Sequence, residues 1–245
     1  MAEGGRPQEG YGSFLLLFTY LEDDRMELGT LIRELCSGML VSLEIFVLTL
    51  VFSLPLGLLV AFGRMSKISP IRWLTKIYIS IMRGTPLMLQ LMVVYFGPYY
   101  IFGIRISSGY RLTAVLIGFA INYAAYFAEI YRGGIEAIPT GQYEAARVLG
   151  YSKAQTFFRI IFPQVIKHIL PPVTNEVITL VKDTALVTAI GVAELLKAAK
   201  DANNRDVNPT AFFLAAVIYL ILTFVLTLLS QWCEKRFSRH EQKEA

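Results

Sequence analysis

Apolar residues along this chain gather in long blocks separated by short charged stretches. A run of roughly 20 apolar residues is what an α-helix needs to cross a bilayer. On that measure the pattern predicts five spans: residues 39–62, 77–102, 112–131, 169–196 and 211–230. Arg83, Gly84, Pro86, Gly97 and Pro98 interrupt the second, and the fourth is the most polar of the set. Residues 1–12, MAEGGRPQEGYG, are polar and Gly-rich, which predicts disorder. Residues 14–21 are apolar but too few to span, and they lack the basic flank and small-residue cleavage site of a signal peptide. A short interfacial helix is expected there.

Between spans three and four, residues 133–168 are too long for a simple turn and carry ordered-structure signals. Pro139 suits the first turn of a helix. Residues 143–149, YEAARVL, are good helix formers. Gly150 suits the left-handed position that ends a helix. Ser152-Lys-Ala-Gln155 has the form of a capping box that would start another, and Pro163 predicts a further break. The stretch therefore predicts two short helices meeting at a sharp turn. From these signals alone it is either an ordinary amphipathic surface loop or a dedicated docking element.

Composition agrees with the pattern. Apolar residues make up 55% of the 245, the mean hydropathy is +0.52, and charged residues are 17%, against about 25% in a soluble average. The class is an all-α membrane protein of about five transmembrane helices. The net charge of +4 says less than its distribution. Placing residues 64–76, 132–167 and the C-terminal tail in the cytoplasm puts thirteen cations inside against eight outside. The positive-inside rule then predicts the N-terminus out and the C-terminus in, with Trp73 and Trp232 at the inner interface. The basic residues form no nucleic-acid stripe. Cys36 and Cys233 belong to no C-x-x-C pattern and read as packing residues. No helix carries a His/Glu metal spacing, and His168 and His240 fall near the inner interface.

Charged groups within a membrane are costly and usually face inward. Those in or near the spans are Glu44, Arg83, Glu129, Glu176, Lys182 and Asp183, with Gln90, Asn122 and Asn175 as neutral polar groups. Glu44 is expected to reach the outer interface. Arg83 and Glu129, near the cytoplasmic ends of their spans, are expected to snorkel or to pair with each other. Gln90, Asn122 and Asp183 are the candidates for a substrate pathway. Asn122 falls near mid-depth, Gln90 one turn past Pro86, and Asp183 at a break in span four. For Gln90 and Asn122, helix–helix hydrogen bonding is the competing reading.

Glu144-Ala145-Ala146, three residues, Gly150, nine residues, Ile160, one residue, then Phe162-Pro163 resembles the EAA loop of ABC importer permeases, with Phe162 where Leu is usual. Residues 83–87 (RGTPL) with Gln90-Leu91 and Tyr95-Phe96-Gly97, and residues 180–186 (LVKDTAL) with 190–195 (IGVAEL), resemble the second- and fourth-span signatures of the polar amino acid uptake permeases. The resemblance covers residue 39 to the C-terminus. It implies an ABC type I importer permease fold, a multi-pass protein of a bacterial-type inner membrane. Residues 36–235 would be the transmembrane domain, between an N-terminal segment 1–35 and a cytoplasmic tail 236–245. It implies that Glu144, Ala145, Ala146, Gly150, Ile160 and Pro163 couple the permease to two cytoplasmic ATPase subunits. A second permease subunit, identical or homologous, and an extracytoplasmic solute-binding protein complete the implied assembly, alongside membrane lipid. The sequence contains no G-x-x-x-x-G-K-[ST] loop, so ATP and Mg are expected on the partner ATPase and no cofactor on this chain, which is not itself expected to be an enzyme. A different class of function is a non-transporting membrane scaffold or sensor that docks an ABC ATPase. The polar groups kept inside the spans argue against it.

Overall fold

Long apolar runs without an interior breaker become long helices, and the first is the longest. In the computed structural model, which describes the backbone of residues 9–107 and 109–238 and the side chains of 28–107 and 109–236, α1 runs unbroken from Glu9 to Arg64 through Pro55. Residues 1–8 of the segment expected to be disordered lie outside the described residues. Residues 9–12 and the separate interfacial helix expected at 14–21 are instead part of α1, because no proline between them and the first span interrupts hydrogen bonding. The division expected at 35/36 falls within this helix. Cys36, expected to pack, is exposed.

The expected second span is two helices. α2 (Ser69–Gly84) and α3 (Leu87–Phe102) meet at a bend of 108°. Thr85 is extended at φ −122°, ψ 148°, the conformation that a following proline imposes. α2 begins eight residues before the expected span, with Pro70 in its first turn.

α4 (Tyr110–Glu136) is the centre of the molecule. It packs against α1, α2, α3 and α7, and Phe119, Tyr123 and Phe127 along it are fully buried or nearly so. Near its end, Gly134 lets α7 cross closely: a Cβ there would lie 2.1 Å from Ile169 Cγ2.

After a short helix, α5 (Thr140–Val148), the chain turns into α6 (Lys153–Gln155), a π-helical turn (Thr156–Ile161) and α7 (Phe162–Asp183) without interruption. The break expected at Pro163 is absent. Proline cannot donate to the preceding turn and crowds the carbonyl four residues back. Here the widened turn precedes it, with Phe162 N–H donating to Phe157 O. Beyond Asp183 the helix tightens to 3₁₀ (Thr184–Ile190) and stops at Gly191, which is left-handed at φ 76°. α8 (Leu195–Asp206) and α9 (Thr210–Ser238) complete the fold. The buried Glu194 caps α8, accepting from Leu196 and Lys197 N–H at 2.8 and 2.7 Å and from Tyr219 Oη at 3.1 Å. Arg205 near the other end of α8 bonds Glu34 of α1 and holds the Asp206 carboxyl below the usual carboxylate range.

Among the described residues, three helices are long and apolar enough to cross a membrane, or four if the α2–α3 pair is one broken span. The remaining expected span, 169–196, is not one helix but α7, the 3₁₀ turn and the start of α8. At 22 residues, α7 is about 33 Å long at 1.5 Å per residue. Its length suffices to span; Thr174 and Asp183 are met by Glu234 of α9 and Tyr123 of α4, while Asn175 and Lys182 are exposed.

Candidate functional site

The loop between α4 and α7 is built by local chemistry. Pro139 stands just before α5, which ends at Leu149. Gly150 takes φ +78°. Its N–H donates to Arg147 O at 3.0 Å and Tyr151 N–H to Ala146 O at 3.0 Å, the paired bonds that close a helix on a left-handed residue. Two residues on, Ser152 Oγ accepts from Gln155 N–H at 3.3 Å while Gln155 Oε1 accepts from Ser152 N–H at 2.9 Å, so the capping box is complete. Of the EAA residues, Glu144 and Ala145 are exposed, whereas Ala146 is buried within the chain's own packing. Ile138, Ile161 and Val165 form the small core beneath the loop, with Ile160 and Tyr143 packed on it, and Pro163 sits exposed in the first turn of α7. The outer tip is apolar and uncovered: Val148 is 88% and Leu149 72% exposed.

The polar groups inside the spans fall into two sets on different faces of α4. At the α2–α3 bend, the last turn of α2 has carbonyls without helical partners. Gln90 Nε2 donates to Met82 O at 2.9 Å and to Thr85 Oγ1 at 2.7 Å. Asn122, almost fully buried, donates to the same Met82 O at 3.0 Å and to Gln90 Oε1 at 2.9 Å. Gln90 and Asn122 are thus brought together, and they serve the bend. Asp183 is not with them. Its Oδ2 accepts from Tyr123 Oη at 2.8 Å, and adjacent residues on a helix point about 100° apart.

Beside Asp183 the structure adds two tyrosines that sequence reasoning did not single out, Tyr123 and Tyr126. The Arg83 guanidinium lies 5.3 Å from the centre of the Tyr126 ring, which in turn neighbours Tyr123 at 6.1 Å. Tyr126, one turn past Asn122, would have been marked by a helical wheel of α4, whereas Tyr123, about 100° around from Asn122, would not. Of the two alternatives expected for Arg83 and Glu129, pairing with each other is not formed: Glu129 is held by Arg132, at 2.6 Å, with Arg64 at 3.8 Å. Glu44 is exposed on α1 in line with Leu40, Val47 and Val51. Among the described residues no three His, Cys, Asp or Glu side chains gather as a metal site requires.

This architecture is shared. The family described as "Binding-protein-dependent transport system inner membrane component" matches residues 53–239, more than half the chain. The L-cystine transport system permease protein TcyB of Bacillus subtilis (strain 168) is 36% identical over 211 residues, covering 85% of this chain and 88% of that protein. The histidine/lysine/arginine/ornithine transport system permease protein HisM of Escherichia coli (strain K12) is likewise 36% identical, covering 83% and 89%. Among solved structures, one described as an amino acid ABC transporter with histidines superposes with a TM-score of 0.79 at 35% identity, covering 86% of this chain and 97% of that one. An inward-facing MetNI methionine ABC transporter shares the fold, with a TM-score of 0.63 at 21% identity. On the extent of these matches, the chain belongs to the binding-protein-dependent transport system inner membrane component family, among the amino-acid ABC transporter permeases.

Proposed function

We propose that this chain forms the transmembrane pathway of an ATP-driven importer for a polar amino acid (basic, acidic, amide or cystine-like) in a bacterial-type inner membrane. The α5 loop is the lever that a separate cytoplasmic ATPase moves. The observation that carries this reading is the outer tip of the loop, where Val148 and Leu149 stand uncovered beside exposed Glu144 on a rigidly capped turn. Large apolar side chains held out by an ordered turn mark an interaction surface, and a capped helix transmits force as a rigid body. Two ATPase subunits, binding ATP and Mg, would engage this chain and a second permease subunit. A solute-binding protein would deliver substrate from outside. The names of the relatives, which specify cystine and basic amino acids, support the substrate class.

Gln90, Asn122 and Asp183 are proposed to line the pathway, in different ways. Asp183, which accepts from Tyr123 Oη, offers a carboxylate to an amino acid's ammonium. The amide N–H groups of Gln90 and Asn122 are spent on the bend, so what they offer substrate directly is an amide oxygen. The orientation is N-terminus out and C-terminus in. Cysteines introduced at Arg72, Arg159 and Asn204, all exposed, test it with a membrane-impermeant thiol reagent in intact cells. Labelling is expected only at 204, and labelling at 159 would overturn both the orientation and the dock. The dock itself is tested by crosslinking Val148→Cys and Leu149→Cys to the co-expressed ATPase. Absence of any crosslink in an active complex would remove the loop from that role.

A further inference from the structure

Where α1 ends, and α2 and α4 pass it, there is a cavity of about 210 Å³ lined by Arg64, Lys76, Ile79, Ser80, Arg83 and Glu129. Its charge does not balance. Three cations face one carboxylate, and that carboxylate is already gripped by Arg132 through bonds of 3.2, 3.1 and 2.6 Å. Arg64 reaches it only at 3.8 Å. Among the described residues, neither Lys76 nor Arg83 has a carboxylate within 4.0 Å. Lys76, Ser80 and Arg83 are exposed, so this surplus of positive charge is open to an anion from outside and attracts one.

The setting of the cavity tells which anion is at hand. Turned 108° from α3, α2 cannot run parallel to it across the bilayer. Arg72, Lys76, Ile79, Ser80 and Arg83 recur at helical spacing on one side of α2, while Trp73 (66% exposed), Leu74 (65%) and Ile81 (51%) are bare on its other sides. An amphipathic helix with basic and indole side chains lies in the headgroup layer. At about 30 Å³ per water, the cavity has room for a tetrahedral phosphate with its ester oxygens. Two guanidinium forks, an ammonium and the Ser80 hydroxyl are donors matched to a phosphodiester, and basic pockets between membrane helices take anionic headgroups.

We infer that this cavity is a binding site for the headgroup phosphate of an anionic phospholipid, gripped by Arg64, Lys76 and Arg83. The lipid completes the charge of the pocket and anchors α2 beside the Thr85–Pro86 bend.

The test uses the assembled transporter, delipidated and then exposed to mixed phosphatidylglycerol and phosphatidylcholine, with retained lipid counted by native mass spectrometry. The wild type is expected to retain phosphatidylglycerol selectively. Arg64→Gln/Lys76→Gln should lose that selectivity several-fold, Lys76→Arg should keep it, and inorganic phosphate should not displace the lipid. Equal retention by wild type and the double variant would overturn the site, as would indifference of the wild type to headgroup charge. Displacement by inorganic phosphate would show a free-anion site and overturn the lipid assignment. An arm that needs no variant is photocrosslinking of a headgroup-labelled phosphatidylglycerol to the wild type. Adducts within residues 64–83 are expected, and adducts only elsewhere would overturn the proposal.

Discussion

The α5 loop and the α2–α3 bend are both sharp turns, and they are built in opposite ways. The loop is closed by partners a few residues apart: Gly150 to Arg147, Tyr151 to Ala146, Ser152 to Gln155. The bend is held by Asn122, forty residues from the Met82 carbonyl it satisfies, and by Gln90 across the break. The loop would keep its shape when moved as a unit, as a lever must. The bend depends on α4 staying beside it, so any motion between α4 and α2 is registered there. Polar residues in a transporter membrane domain therefore need not face substrate. Some keep broken backbone from being unpaired in a medium without water.

The largest effect that would break this contrast is expected from Gly150→Val. A β-branched residue in the left-handed region costs about 1–2 kcal/mol or more, and nothing nearby would clash, since a Cβ at Gly150 meets no atom within 4 Å. Loss of coupled uptake in proteoliposomes, with assembly weakened or ATP hydrolysed idly, is expected. Normal uptake at wild-type protein levels would show that the turn is not the lever.

Asn122→Leu comes next. It leaves Met82 O and the Gln90 amide short of a partner, at about 1–3 kcal/mol, and should lower the thermal midpoint of the complex as well as uptake. Asn122→Leu with Gln90→Leu strips the Met82 carbonyl of both its side-chain donors, and an unpaired buried carbonyl costs about 1–3 kcal/mol, so the midpoint should fall further. If uptake falls only in step with the midpoint, the pair is packing alone and its place in the pathway is wrong.

Asp183→Ala should behave differently, lowering substrate-stimulated uptake while basal ATP hydrolysis stays close to wild type. Tyr123→Phe keeps the carboxylate and should be milder. Equal loss in both would make the Tyr123–Asp183 bond structural. The smallest effect is expected from Glu144→Ala: an exposed ion pair contributes at most about 1 kcal/mol, so ATPase affinity measured by titration should fall only a few-fold.

The amino-acid sequence determined what local chemistry can determine. Helix caps, the left-handed glycine and the apolar blocks act within a few residues, so the α5 turn, the Ser152 capping box and the starts of α4 and α9 were legible, whereas both helices run on past their apolar blocks to Glu136 and Ser238. Proline showed the limit of that reading. Pro86 stands where α2 gives way to α3, with Thr85 extended before it, while Pro55, Pro98, Pro163, Pro171 and Pro172 lie within continuous helix, Pro98 against the interruption expected there. Only the tertiary structure decided which polar group meets which. Asn122 and Asp183 looked alike as intramembrane polar residues, yet one supports a bend and the other meets Tyr123. Arg83 left Glu129 to Arg132 and turned to Tyr126. Hydrogen bonds across 40 to 60 residues depend on how helices rotate about their axes, and packing against neighbours sets that rotation.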